Sequence, residues 1–349
     1  LNMATYNITI EPTQHQFTAS DDQNLLDAAL AAGIVLPYSC RAGACSSCKG
    51  KVISGKYDAG LAPAQVLQAE EIQAGYTLLC QAHALSDMVI ESREVRLATD
   101  IQIRKLPARV TRIRMPAPDV AVLTLQLPSS ETFRFYAGQY VEIILKDGKR
   151  RAYSMANSPD QAAALELHVR HMPGGVFTDH VFGAGDKQMK EREILRLEGP
   201  FGSFFLREES TKPIVFLASG TGFAPIKAII EHMIEQGIDR PAVLYWGGRR
   251  PQDLYMDELA QSWQEKLGQF TYIPVVSDAQ ADDNWTGRTG FVHKAVMQDL
   301  PDLSAHEVYA CGAPIVVESA RREFASECGL PDDAFYADSF TSAADTAKA

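Results

Sequence analysis

Three cysteines fall within nine residues, Cys40-Arg-Ala-Gly-Ala-Cys45-Ser-Ser-Cys48, and thiolates set this close together hold metal. With Cys80, in Thr77-Leu-Leu-Cys80-Gln81, they make the pattern C-x4-C-x2-C…C. That is the ligand spacing of a [2Fe–2S] cluster, a group that passes one electron at a time at low potential. Gly43 permits backbone angles closed to other residues, and the small side chains of Ala42, Ala44, Ser46 and Ser47 let main-chain amides approach the sulfurs. Zinc is the competing ligand, but a zinc ribbon needs a second paired knuckle and Cys80 stands alone. A disulfide framework belongs to small secreted chains. Cys311 and Cys328 lie outside the pattern.

Two other stretches carry chemistry of a different kind. Ser219-Gly220-Thr221-Gly222-Phe223-Ala224-Pro225 follows an apolar run and opens a helical one, so its free amides and positive helix end suit a phosphate. Pro225 stands where the full dinucleotide fingerprint has its third glycine, and is read as the first helical position. Cys311-Gly312-Ala313-Pro314 ends a later strand, and two small-residue turns at strand ends would frame one crevice; Cys311 reads equally as a buried core thiol. Earlier, Arg150-Arg151-Ala152-Tyr153-Ser154 couples cations, a ring and a hydroxyl. His168-Val169-Arg170-His171 then leads into Pro173-Gly174-Gly175-Val176-Phe177-Thr178, a second glycine turn before a helix. Taken singly, Arg151 reads equally as a solvated charge, Tyr153 as packing and Gly174-Gly175 as a hairpin turn; their order and spacing favour a site.

The elements that would position these residues change character along the chain. Alternation at Tyr6, Ile8 and Ile10 and then Phe17 predicts a hairpin. Ser20-Asp21-Asp22 is expected to cap a helix through Leu25, Leu26, Ala29 and Leu30 that stops at Gly33. Residues 3–97 read as a small β-grasp unit and 98–106 as a linker. Residues 107–208 read as short antiparallel strands closing a six-stranded barrel. Residues 209–340 alternate apolar strands and helices, as in a doubly wound parallel sheet, and residues 341–349 form a flexible tail. The fold class is α+β and multidomain.

The chain has 349 residues, too many for one core, and a net charge of -11. That charge argues against nucleic acid, which is bound through Lys and Arg. With no apolar run of membrane-spanning length and no basic-then-apolar leader, a soluble, cytoplasmic monomer is expected.

The motifs together resemble the ferredoxin–NADP reductase superfamily, in its form with an amino-terminal plant-type ferredoxin domain, over essentially the whole chain from Tyr6 to Phe340. The resemblance implies that Cys40, Cys45, Cys48 and Cys80 ligate the cluster. It implies that Arg151 contacts flavin phosphates, Tyr153 packs on the isoalloxazine ring and Ser154 lies near N5, with His168, Val169 and Arg170 on the flavin strand. Gly174, Gly175, Val176 and Thr178 would hold the pyrophosphate, which favours FAD. Gly220, Thr221 and Gly222, with Cys311 and Gly312, would hold the nicotinamide nucleotide, and Phe340 would place an aromatic ring near the flavin. Ser154, Tyr153 and Phe340 are thus the candidates closest to the chemistry. Two subfamilies carry the likeness: reductase components of aromatic-ring oxygenases, and the CDP-6-deoxy-Δ3,4-glucoseen reductases that serve a sugar dehydrase. The implied activity moves hydride electrons from NADH to FAD, then singly through the cluster to a separate oxygenase or, alternatively, a dehydrase. Trp246-Gly-Gly-Arg249-Arg250 offers no acid for a ribose hydroxyl and two arginines for a 2′-phosphate, yet Asp253-Leu-Tyr255 resembles the NADH users, so NADH is expected over NADPH.

Overall fold

A computed structural model describes residues 3–98, 101–161 and 163–342. Among these, no helix is long and apolar enough to cross a membrane. The chain divides into two compact units. One comprises residues 1–100 with 337–349, and the other residues 101–336. Most of the expected tail lies outside the described residues.

The first unit is built on a five-stranded mixed sheet, in the order β2 (His15–Ser20), β1 (Thr5–Glu11), β8 (Met88–Glu91), β4 (Lys49–Ser54) and β6 (Tyr76–Leu78), with β1 and β8 parallel. Two short pairs flank it: β3 (Ile34–Val35) with β9 (Arg96–Leu97), and β5 (Tyr57–Asp58) with β7 (His83–Ala84). Helix α1 (Leu25–Ala31) buries Leu25, Leu26, Ala28 and Ala29, and α2 (Ala69–Gln73) precedes β6. The α1 cap is Asn24, not the Ser20–Asp22 run. Ser20 ends β2 and donates to Asp22, whereas the Asn24 side chain accepts the Asp27 amide at 2.8 Å.

In the second unit, six antiparallel strands run in the order β13 (Arg150–Ser154), β12 (Tyr140–Ile144), β15 (Ile194–Phe201), β10 (Arg104–Ala117), β11 (Val120–Gln126) and β14 (Ala164–Arg170). Among the described residues a single bridge, Met155 to Leu167, joins the two edges. Alternate residues Leu106, Ala108 and Val110 and Leu123 and Leu125 point to a shared core with Val141, Leu167 and Leu197, each large side chain contributing about 1.5–3 kcal/mol by burial. Helix α3 (Val176–Phe182) follows β14.

The remaining sheet has the order β19 (Arg288–Thr289), β18 (Phe270–Val276), β17 (Ala242–Gly248), β16 (Ile214–Ser219), β20 (Glu307–Gly312) and β21 (Phe335–Ser339), parallel from β19 through β20. Its helices are α4 (Phe223–Gln236), α5 (Asp257–Ser262), α6 (Val292–Asp299) and α7 (Pro314–Cys328). The chain steps outward from β16 through β17 and β18, then returns to β20 on the other side of β16. The order therefore reverses between β16 and β20, and ligands of such sheets bind at the strand ends of that switch point.

Candidate functional site

The expected cluster ligands come together in the first unit. Cys45, Cys48 and Cys80 are buried and Cys40 is half-buried. The Cys40 thiol hydrogen-bonds Cys45, which pushes Cys40 up and draws Cys45 down to about 6 against the opposing effect of burial. Cys48 is likewise raised by its bond to Cys80, and Cys80 is lowered by it. Among the described residues no three or more His, Cys, Asp or Glu could hold a single metal ion. Two thiol pairs are instead what a two-iron cluster needs, two ligands to each iron. Amide donors already face the sulfurs: Ala42 N–H reaches Cys40 Sγ at 3.4 Å and Gln81 Nε2 reaches Cys80 Sγ at 3.6 Å. Such donors tune a cluster's potential. Gly43 takes φ +74°, and a Cβ there would press on the Gln81 side chain at 3.1 Å. Of the cations beside the loop, Arg41 pairs with Asp27 at 3.1 Å and Lys49 with Glu71.

The Arg-x-Tyr-Ser run occupies β13. Arg150 and Arg151 alternate in direction there and differ in company. Arg150 is gripped by Glu142 and Glu198. Arg151 meets no carboxylate among the described residues and donates only to the Arg150 carbonyl, at 2.8 Å. A half-buried guanidinium without an anion, in a chain this acidic, fits a phosphate. Tyr153 packs against Phe177 with ring centroids 5.4 Å apart, and Ser154 is buried. Burial raises the Tyr153 phenol, with Arg151 opposing. In the glycine turn Gly174 adopts φ +86°, and Thr178 Oγ1 donates to the Met172 carbonyl at 2.9 Å and accepts the Met172 amide at 3.1 Å. Asp179 accepts from the Gly174 amide and lies 2.8 Å from His171 Nε2. The Val176 and Phe177 amides precede the first i→i−4 bond, and Gly175 leads into the helix without a side-chain cap.

His168 and Val169 lie on β14 with their side chains on opposite faces, Val169 toward the strand core and His168 toward Tyr255 and Phe223. Val169 is core, and both His168 nitrogens are engaged, Nε2 with Glu166 and Nδ1 with Tyr255 Oη, each at 2.7 Å. Burial depresses the His168 imidazole, partly offset by Glu166. Arg170 leans toward Asp119 at 3.3 Å and Asp253 at 3.8 Å. Its guanidinium lies 3.0 Å from where a Gly220 Cβ would stand.

At the switch point, backbone packs on backbone. A Cβ on Gly222 would lie 2.1 Å from the Cys311 carbonyl oxygen, and one on Gly312 2.4 Å from the Ser219 oxygen. The turn Gly220–Gly222 is a single 3₁₀ turn, and α4 begins at Phe223. Pro225 is therefore the third helical residue, not the first; its missing N–H still falls among the amides that lack an intrahelical partner. The Trp246 indole donates to the Gly220 carbonyl at 2.9 Å and stacks on Phe223 at 3.9 Å. Cys311 is fully buried beside Ala218. Arg250 is held by Asp283 at 2.8 and 2.7 Å. Asp253 accepts the Arg249 and Arg250 amides at 2.9 Å each.

One cluster escaped the motif reading. Lys227, almost wholly buried, donates to the Ala156 carbonyl at 3.0 Å and pairs with Glu231 at 2.9 Å and Glu166 at 3.2 Å. It ties α4, and with it the glycine turn, to β14 and the segment after β13. A lone lysine in the apolar run Ala224-Pro-Ile-Lys-Ala-Ile-Ile was its only signal in the sequence. Phe340 is half-buried and groups with the first unit.

Three family models match in series: a 2Fe-2S iron-sulfur cluster binding domain over residues 8–85, an oxidoreductase FAD-binding domain over 107–206 and an oxidoreductase NAD-binding domain over 216–322. The chain is 40% identical over 334 residues to the CDP-6-deoxy-L-threo-D-glycero-4-hexulose-3-dehydrase reductase of Yersinia pseudotuberculosis, covering 96% of this chain and 98% of that one. It is 37% identical over 340 residues to reductase component 1 of terephthalate 1,2-dioxygenase from Comamonas, with 96% and 97% covered. In structure it resembles the Amycolatopsis cytochrome P450 reductase GcoB, at a TM-score of 0.76 and 33% identity, over 97% of this chain and 99% of that one. The chain therefore belongs to the ferredoxin–NADP reductase superfamily, among the iron–sulfur flavoprotein oxidoreductases that join a [2Fe–2S] domain to FAD- and NAD-binding domains.

Proposed function

We propose that this protein is the NADH-oxidising reductase component of a multicomponent oxygenase, handing electrons one at a time to a separate terminal protein. The observation that carries the reading is that a paired four-thiol loop, a strand bearing an unpaired Arg151 and two interlocked glycine turns at a switch point occur in one chain. FAD, when bound, takes two electrons from a hydride and gives them up singly, and the cluster accepts one at a time. The chain's own residues bind, orient and exclude water. Cys40, Cys45, Cys48 and Cys80 would ligate the cluster. Arg151 with the Gly174–Thr178 turn would hold the FAD phosphates, and the strand residues His168, Val169 and Arg170 would shape that side by backbone. Tyr153, Ser154 and Phe340 would line the flavin ring. Gly220, Thr221, Gly222, Cys311 and Gly312 would seat the nicotinamide nucleotide. NADH is favoured over NADPH because Arg250 is already bound by Asp283 and offers little to a 2′-phosphate.

The finer architecture follows the same reading: a β-grasp domain over residues 3–97, a linker over 98–106, a flavin barrel over 107–208 and a doubly wound domain over 209–340. We place the protein in the cytoplasm as a monomer, apart from membranes and nucleic acid. A sugar-dehydrase partner is the second reading, favoured by the 40% identity to the Yersinia reductase. The decisive measurement is the visible spectrum of the loaded protein during NADH addition. Flavin and iron–sulfur bands should both bleach, and Cys45→Ser should lose transfer to the terminal protein while keeping NADH–ferricyanide activity. Equal loss of both activities would end the reading. Turnover with a purified oxygenase or dehydrase component separates the two acceptors.

A further inference from the structure

Cys40 is held by constrained backbone on both sides. The residue after it, Arg41, adopts φ +56°, a left-handed conformation that a long side chain takes only where its surroundings hold it. One restraint is local: Arg41 pairs with Asp27, which Asn24 in turn binds at the start of α1. The other comes from the far end of the chain. Ser39, immediately before Cys40 and buried, donates its hydroxyl to Asp338 Oδ1 at 2.6 Å and accepts the Ser339 amide at 3.1 Å. Asp338 is buried as well, and residues 337–342 group with the first unit. A bond of this length between two side chains shielded from water holds its partners closely.

We infer that Asp338 is a positioning residue for the iron–sulfur centre: through Ser39 it fixes the stem from which Cys40 projects its thiol. The inference rests on the cluster assignment proposed above. A ligand whose backbone wanders lets solvent and chelator reach the iron sooner. The carboxyl-terminal segment would therefore control how long the amino-terminal domain keeps its cluster.

The test uses the full chain loaded with FAD and cluster, challenged with an iron chelator while iron–sulfur absorbance and released flavin are followed separately. Asp338→Ala and Ser39→Ala should each shorten the cluster lifetime by about 10-fold, the loss expected for one well-made buried hydrogen bond. Asp338→Asn, which keeps an acceptor, should recover most of it. The double variant Ser39→Ala/Asp338→Ala should be no worse than Ser39→Ala, because the bond to Asp338 is already gone in that single variant. Flavin release should match wild type throughout. A wild-type cluster lifetime in Asp338→Ala would overturn the inference, as would equal acceleration of flavin loss or additive effects in the double variant. If Asp338→Ala does not fold, Ser39→Ala reads out the same bond together with the one from the Ser339 amide. Failure of the wild-type protein to take up a cluster would instead refute the functional reading.

Discussion

Replacing Lys227 by Met tests how the flavin strands are held to the nucleotide turn. The ammonium sits between Glu166 and Glu231 with the Ala156 carbonyl as its third acceptor; Lys227 is buried and the two carboxylates are partly so. Methionine fills much of the volume but leaves two carboxylates facing each other without a cation, which for a broken buried pair costs about 3–5 kcal/mol. In a unit of this size that lowers its melting temperature by about 6–20 °C.

The pH dependence supplies the sign. Burial works to raise the Glu166 carboxyl, but His168 and Lys227 outweigh it and hold the group at about 2, against an ordinary 4.5. That displacement is worth about 3 kcal/mol. It is fully present above about pH 4.5 and is lost as pH falls toward 2. Glu231 is shifted the other way, because burial outweighs Lys227, and it offsets part of the gain. Without Lys227 the opposing trend dominates, so the variant should regain more stability on acidification from pH 7 to about 5 than wild type, in which Lys227 holds both carboxyls down. Calorimetry or circular dichroism melts across that range measure it. NADH-driven flavin reduction by stopped flow should also slow by about 10-fold, since α4 begins at the nucleotide turn. A melting temperature within about 2 °C of wild type, with an unchanged pH profile, would refute the account.

Gly222→Ala should raise the KM for NADH by about 10-fold or more, because its Cβ would lie 2.1 Å from the Cys311 oxygen and force the two turns apart. Gly237→Ala, whose Cβ meets nothing within 4 Å, should leave that KM unchanged; steady-state kinetics on both variants decides the point. Arg151→Met should weaken FAD retention by about 10- to 150-fold, the worth of a charge-assisted hydrogen bond. Arg150→Met, whose guanidinium is committed to Glu142 and Glu198, should not; equilibrium dialysis of FAD compares them.

Much of the chain was legible residue by residue because its informative features are local. Cys40 to Cys48 are a spacing, Gly220 to Gly222 a turn after an apolar strand, and Arg151 to Ser154 a strand end. Where local reading failed, a competing partner had won. Asn24 rather than Ser20 to Asp22 caps α1, because Ser20 is still in the sheet. Pro225 is the third helical residue because α4 already begins at Phe223, directly after the 3₁₀ turn of Gly220–Gly222. The arginines at 249 and 250 look alike in the sequence, yet only Arg250 finds Asp283.

The order of the three domains, their cofactors and the direction of electron flow follow from motifs whose residues are near neighbours in the chain. The grip on those motifs does not. The Lys227 network, the contact of Gly222 with Cys311 and the bond from Ser39 to Asp338 join residues up to 299 positions apart. No spacing rule reports such partners. Which buried cation meets which carboxylate is settled only when the sheets close and water is excluded, because only then does an unpaired charge become costly.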